Sequence, residues 1–309
     1  MTGEKEISIR SFSWPHGRST QETTMSKPPP TNPGMPQPGP LTVTSSEGAL
    51  VPANGHKAPA SAEDADAAFA CSLIFPLGRG VHGKTFWARW LLDQRLNDGC
   101  DITVVDADRT NATLTNYFTD VVTPASAEDA DVEDRLRSVT ETMMETPRIT
   151  LVDFGANDLT LKRVTRKFGD FNAYLAGGGV RGVAVHFLGP DRDDLAYLRD
   201  MEEGGFAPPA TILVLNEALL PAGTSAALFE PIMQDDIFTA AMKRGARPVY
   251  MPRLETAREI NRMQVGFIAA GSGKTAKDGT RFGPWNRSIT NAWRKTMLAN
   301  HEPVMEWLR

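Results

Sequence analysis

The sequence predicts an α/β fold, a mostly parallel sheet covered by helices on both faces. Three observations predict it. From Phe69 onward, apolar runs of strand length alternate with segments of helical spacing. The first run leads straight into a glycine-rich loop and then a helical pattern. The second and third runs each close on aspartate, and the ends of parallel strands are where such sheets bind ligands.

The elements follow in order. "CSLIFPL" is an unbroken apolar run, suited to a strand buried on both faces. "GKTFWARWLLDQRLNDG" places Trp87, Trp90 and Leu91 at helical spacing and stops at Gly99. "DITVVDAD" reads as the second strand, "VEDRLRSVTETMME" as a helix and "RITLVDFG" as the third strand. "LTLKRVTRKFGDFNAYL" reads as one helical segment, "VRGVAVHFLG" as a strand and "RDDLAYLRDMEEG" as a helix. "ATILVLNEAL" is a strand, "DDIFTAAMKRG" a helix and "RPVYMPRL" a last strand.

Three regions are expected: a tail over 1–65, a core over 66–265, and a basic C-terminal turn and helix over 266–309 packed on the core. The tail reads as disordered, because it is rich in proline and glycine and has no apolar period that could bury a face. Ten of the 22 prolines lie before Ala60. "PASAEDAD" occurs at Pro59–Asp66 and again at Pro124–Asp131, and both copies read as helix starts.

Composition bounds the function. With 41% hydrophobic and 23% charged residues, the balance is that of a globular protein. No apolar run reaches the roughly 18–20 residues of a membrane helix, and "MTGEKEISIRSFSW" lacks the apolar core of a secretory signal. Two cysteines, Cys71 and Cys100, form no metal or redox spacing, so a reducing cytoplasmic setting is expected. Between Ala240 and Arg309, 13 Lys and Arg face 5 Asp and Glu, although the whole chain carries −5. Such a basic segment suits nucleic acid or an acidic partner, or else a solvated helical surface.

The loop "GRGVHGKT" satisfies G-x-x-x-x-G-K-[ST] in full, with Gly78, Gly83, Lys84 and Thr85. Its flanks, a strand and a helix, are those the chemistry needs: loop N–H groups and the helix N-terminus point at anionic oxygens. Lys84 is placed to neutralise β- and γ-phosphates, and the Thr85 hydroxyl to enter a Mg²⁺ shell. A second "GSGKT" at Gly271–Thr275 fails, because Ile268 stands where the motif wants glycine and no helical pattern follows. It is expected to be an exposed turn.

Asp106 and Asp108, two residues apart, fall on one side of their strand. Asp153 closes an apolar run in the manner of an acid that holds Mg²⁺ directly or through water. "GRGVHGKT", "DITVVDADRTNATL" and "ITLVDFG", in that order over about Cys71–Arg262, resemble the ParA/MinD family of P-loop ATPases, which carry a deviant Walker A loop. Within that family, "DFGAND" and the C-terminal region look most like the ParA-like proteins of plasmid conjugal transfer, of TraL or MobD type.

The resemblance implies ATP and Mg²⁺ as cofactors and a nucleotide-dependent homodimer. By position, Gly78, Gly80, Gly83, Lys84 and Thr85 would cradle phosphates and metal. Asp108 would orient the attacking water, Asp106 would support the metal shell, and Asp153 would hold the metal. Asn216 stands where the family often reads adenine with an amide, which offers both donor and acceptor; a strand-end turn asparagine is the other reading. DNA or a DNA-processing complex is the partner implied.

The chain also departs from the family loop K-G-G-x-G-K-[ST]. Arg79 stands where a lysine would reach across the dimer, and Val81 replaces a glycine. Arginine can clamp phosphate, yet its reach and geometry differ from those of lysine, and Val81 restricts the backbone. His82 is expected to be a solvent-exposed loop residue, and His186 a satisfied core histidine. Trp285 and Trp293, interleaved with Arg287, Arg294 and Lys295, suit either nucleic acid or a helix docked on the core. The expectation is a slowly hydrolysing ATP-dependent dimerisation switch in plasmid conjugal transfer or maintenance. A nucleotide-binding adaptor with little hydrolysis and a small-molecule kinase are its rivals.

Overall fold

The computed structural model describes residues 69–109, 111–156, 158–276 and 279–309. The tail expected over 1–65 and the first "PASAEDAD" copy lie outside them. Six strands form one parallel sheet: β1 (Cys71–Leu77), β2 (Ile102–Ala107), β3 (Ile149–Phe154), β4 (Val180–Leu188), β5 (Ala210–Asn216) and β6 (Arg247–Met251). Their spatial order is β2-β3-β1-β4-β5-β6. The chain runs to one side of β1 for β2 and β3, then crosses to the other for β4 to β6. That reversal opens a crevice at the carboxyl ends of β1 and β3.

The strands alternate as a two-sided sheet requires. Ile74, Val183, Val185, Ile212, Val214 and Val249 face a cluster built on α1 (Lys84–Asn97), α8 (Ala257–Met263), α9 (Phe267–Ser272) and α10 (Pro284–His301). Leu73, Phe75, Leu77, Val152 and Phe154 face the other side, covered by α2 (Asp129–Glu145), α3 (Thr160–Phe168) and α4 (Phe171–Gly177). Leu188, Leu213 and Leu215 complete that side with α5 (Arg192–Glu203), α6 (Glu230–Met233) and α7 (Asp236–Lys243).

Four local expectations change. The segment read as one helix is two, because Gly169 turns left-handed at φ 74° and the Asp170 carboxylate accepts the Ala173 N–H to start α4. "GSGKT" is a helix end followed by a turn: Gly271 and Ser272 close α9, Gly273 caps it at φ 75°, and only Lys274 and Thr275 are exposed turn residues. His186 is in the core, but it is not satisfied. Neither ring nitrogen has a hydrogen-bond partner among the described residues, and burial pushes its pKa down to about 3. The two C-terminal tryptophans part ways. Trp293 is buried, stacks on Phe267 and donates to the Pro252 carbonyl at 2.8 Å, whereas Trp285 is 79% exposed.

Trp87 and His301 join α1 to the end of α10. The Trp87 indole N–H donates to His301 Nε2 at 2.9 Å, and His301 Nδ1 lies 2.9 Å from the Met297 carbonyl. A ring that accepts at Nε2 must be neutral and donate from Nδ1. Burial pushes the His301 pKa down to about 4 despite the Met297 bond.

Trp293→Ala is expected to cost about 3–5 kcal/mol in urea denaturation through lost burial and the cavity left; Trp285→Ala should stay within about 0.5 kcal/mol. His301 has a second, pH-dependent signature. Its folded pKa lies below its unfolded value, so the unfolded chain binds the extra proton and stability drains away as pH falls from 6.5 toward 4. The stability difference between wild type and His301→Gln should therefore shrink across that window, by up to about 1.4 kcal/mol per pH unit. A constant difference would show that His301 does not titrate this way.

Candidate functional site

The site is built where β1 ends and α1 begins. Gly78 turns the chain at φ 142°, and a Cβ there would sit 3.2 Å from the Phe187 carbonyl oxygen of β4, so only glycine clears the neighbouring strand. Gly83 precedes α1 at φ 91°, where a Cβ would meet the Asn216 amide at 2.9 Å. Between them Val81 adopts φ 58° with its side chain 97% exposed. A β-branched residue in the left-handed region is strained.

Lys84, the first residue of α1, is buried and folds back over the loop. Its ammonium donates to the Gly78 and Arg79 carbonyls at 3.0 Å each. Burial lowers its pKa, opposed by the charges of Asp153 and Asp108. Thr85 Oγ1 donates to Asp153 Oδ2 at 2.7 Å. Asp153 is 1% exposed, and its other oxygen has no partner among the described residues. Burial pushes its pKa up to about 7, against the Thr85 hydrogen bond.

A hydroxyl beside a buried carboxylate with an orphaned oxygen fits a magnesium ion. Mg²⁺ commonly takes one or two protein oxygens, with substrate phosphates and water completing the shell. Among the described residues no cluster of three or more His, Cys, Asp or Glu could hold a metal by itself.

The other acids divide. Asp106 pairs in register with Asp153 across β2 and β3. Both its oxygens accept main-chain N–H groups, Oδ1 from Asp108 at 3.3 Å and Oδ2 from Leu114 and Thr115 at 2.8 and 3.4 Å. It is expected to support the metal shell, and in the structure its bonds anchor the short 3₁₀ turn Thr113–Asn116, because the chain doubles back over it. Asp108 accepts the Asn111 N–H at 3.1 Å and packs against Gly155. An open cleft of about 390 Å³ is lined by Lys84, Thr85, Asp108, Asn111, Thr113 and Ala156, with the loop residues Val81 to Gly83. A neighbouring cleft of about 310 Å³ shares Asp108 and Ala156 and adds Arg109, Asp129, Asp158 and Arg163.

Three sequence expectations give way to geometry. Asn216 is buried, donates to the His82 carbonyl at 2.9 Å and accepts the Ala218 N–H at 3.0 Å. One amide N–H and the amide oxygen are engaged, so in this arrangement it tethers the loop. Arg79 turns back onto its own chain, toward Asp194 at 3.4 Å and Asp193 at 3.8 Å. His82, expected to be exposed, is largely enclosed and bonded on both ring nitrogens, to Asp194 Oδ1 at 2.9 Å and the Gly80 carbonyl at 2.7 Å.

Sequence reasoning missed Asp194 and Tyr197, whose phenol is influenced by the Gly78 backbone. Both lie on α5, more than a hundred residues from the loop, and nothing in "DRDDLAY" marks them.

Strand, glycine-rich loop, a helix opening on Lys84 and Thr85, and an adjacent strand ending in Asp153 together define the P-loop NTPase fold. The sequence matches no protein-family model and no curated protein. Among solved structures it is similar to the signal recognition particle receptor FtsY from Elizabethkingia anophelis, at 10% identity over 75% of this chain and 71% of that one, with a TM-score of 0.39. The GDP complex of that receptor gives 12% identity, 73% and 63% coverage and a TM-score of 0.37. Chloroplast FtsY from Physcomitrella patens gives 17%, 54%, 55% and 0.36 in the same order, so the chain spans little more than half of that protein. No helix among the described residues is long and apolar enough to cross a membrane.

Asp153→Asn probes the buried carboxylate directly. The raised folded pKa means that wild type binds a proton more tightly when folded, so its stability declines as pH rises toward and through about 7. The variant, which keeps an acceptor for Thr85, should melt above wild type at alkaline pH, and the gain should shrink below neutrality. A gain independent of pH would place the titration elsewhere.

Proposed function

We propose that this protein binds ATP with Mg²⁺ in the cleft between the loop and Asp108, hydrolyses it slowly, and acts as a dimerisation switch of the ParA/MinD type in plasmid conjugal transfer or maintenance. One observation carries the nucleotide reading: the hydrogen bond from Thr85, which lines that cleft beside the buried Lys84, to the buried Asp153. The ATP preference, the homodimer and the DNA-linked setting draw on the resemblance of "GRGVHGKT", "DITVVDADRTNATL" and "ITLVDFG" to that family.

In this reading the chain does four things. The loop between Gly78 and Gly83 and the start of α1 direct N–H groups at phosphate oxygens. Lys84 leaves two carbonyl acceptors for a phosphate, which a partly desolvated ammonium favours. Thr85 and Asp153 hold the metal, which supplies charge neutralisation at the phosphates when bound. Asp108 lies on the cleft wall where it can orient water for in-line attack. Asp106 acts behind it, holding the turn that carries Thr113. Arg79 would contribute only after leaving Asp193 and Asp194.

A second reading has its own observation. With Arg79 paired to acids of its own chain, the cleft keeps Lys84 but lacks a second cation placed like the family's loop lysine, and this favours an adaptor that binds nucleotide with little turnover.

Steady-state ATP hydrolysis, with and without DNA, separates the two. Lys84→Ala is expected to abolish binding and turnover together. Asp108→Ala is expected to retain binding while losing turnover by about 100-fold or more, the scale of a positioned catalytic group. Turnover equal in wild type and Lys84→Ala would end the ATPase reading, and equal binding of a fluorescent ATP analogue by both would end the nucleotide reading as well.

A further inference from the structure

His82 has an acceptor at each ring nitrogen: the Gly80 carbonyl 2.7 Å from Nδ1 and the Asp194 carboxylate 2.9 Å from Nε2. A neutral imidazole carries one N–H and can satisfy only one of them. Both bonds together require the imidazolium. Asp194 is itself 3% exposed and accepts the Gly189 N–H through its other oxygen. It is thus a fixed buried anion rather than a passing surface partner.

The phosphate loop is fastened around this pair. The Gly78 carbonyl takes the Lys84 ammonium, Arg79 leans on Asp193 and Asp194, the Gly80 carbonyl is bonded to His82, and the His82 carbonyl takes the Asn216 amide. Only Val81 projects, in a strained left-handed conformation that the fastenings on either side hold in place. A loop with glycine at that position would reach this shape more easily.

We propose that His82 and Asp194 are positioning residues for the phosphate loop, and that the protonated His82 clamp sets nucleotide affinity. The proposal rests on the nucleotide reading above for its affinity part, and on the two His82 contacts for its structural part. The charged groups that face His82 are Asp194 from α5 and Arg79 within the loop, with Asp193 behind Arg79. From β5 the neighbour is the uncharged Asn216, and Lys84 turns away toward the Gly78 and Arg79 carbonyls.

The hydrogen bond to Asp194 raises the pKa of His82 above 6.5, against the cost of burial and the charge of Arg79. A raised folded pKa means that the clamp is fully present below the ordinary imidazole value and is lost as pH rises through the folded value. Neutral His82 gives up one of its two bonds, and the Gly80 carbonyl or Asp194 loses its donor.

The test uses the full chain, ¹⁵N-glycine and ¹³C-histidine labelled, as wild type, His82→Gln and Asp194→Asn, from about pH 6.5 to about pH 9. In unliganded protein, the Gly80 and Gly83 amides should shift with the midpoint of the His82 ring signal. Asp194→Asn keeps an acceptor for Gly189 and offers an amide N–H to neutral His82, so the loop should stay clamped without following pH. Affinity for Mg²⁺ and a ribose-labelled fluorescent ATP should weaken about tenfold across the same midpoint in wild type, the scale of one charge-assisted hydrogen bond. That slope should vanish in both variants, with His82→Gln fixed at the weak limit. Glycine amides that ignore the His82 titration would overturn the clamp whether or not nucleotide binds. A His82→Gln affinity profile parallel to that of wild type would overturn its link to affinity. If the amides follow His82 but no ATP binds at any pH, the nucleotide reading fails and the clamp stands.

Discussion

Asp153 is a carboxylate at the end of a buried strand, with one hydrogen bond from Thr85 and one oxygen left without a partner. A buried charge in that condition is costly, and burial accordingly pushes its pKa up to about 7. Everything around it follows from the strand order. Because β3 lies directly beside β1, the helix that opens at Lys84 delivers Thr85 to Asp153. Because β2 lies beyond β3, Asp106 is in register with Asp153 and its loop closes over the cleft. A proton relieves the cost of the buried charge, which is why the carboxyl titrates so far above its ordinary range.

The second constraint is the loop itself. Phosphate-binding loops commonly rely on glycine to reach their shape, and this one carries Arg79, Val81 and His82 between Gly78 and Gly83. The conformation is held from outside instead, chiefly by Asp194 on α5 and Asn216 at the end of β5. Those elements follow β4 and lie on the far side of β1 from Asp153. The loop is therefore gripped from one side of β1 while Thr85, Asp153 and Asp108 stand on the other. The replacement of glycine by Val81 in this loop becomes, in three dimensions, an exchange of backbone freedom for side-chain fastening.

Two buried histidines mark another side of the fold. His301 is satisfied by Trp87 and Met297 and sews the C-terminal helix to the helix of the phosphate loop. His186, on β4, has no such partner among the described residues. The same residue type, buried in a strand at one place and at a helix end in the other, thus has opposite circumstances.

What the sequence by itself determined was local: the order of strands and helices, the parallel sheet, the loop with Lys84 and Thr85, and Asp153 at a strand end. Those features depend on periodicity, glycine placement and residues a few positions apart. The split of 160–177 into two helices was also local in cause, through Gly169 and Asp170, yet the apolar spacing on either side hid it. Tertiary structure decided the rest. Asp106 became an anchor because the chain folds back on it, Asn216 became a tether because β5 ends beneath the loop, and His82 and Arg79 met Asp194 because α5 starts beside β1. Each of those is a pairing across more than a hundred residues, or a contest among several donors for one acceptor, except for Asp106, whose partners arrive within nine. Hydrogen-bond partners are chosen by proximity in space, and a single sequence carries no record of which distant residue arrives first.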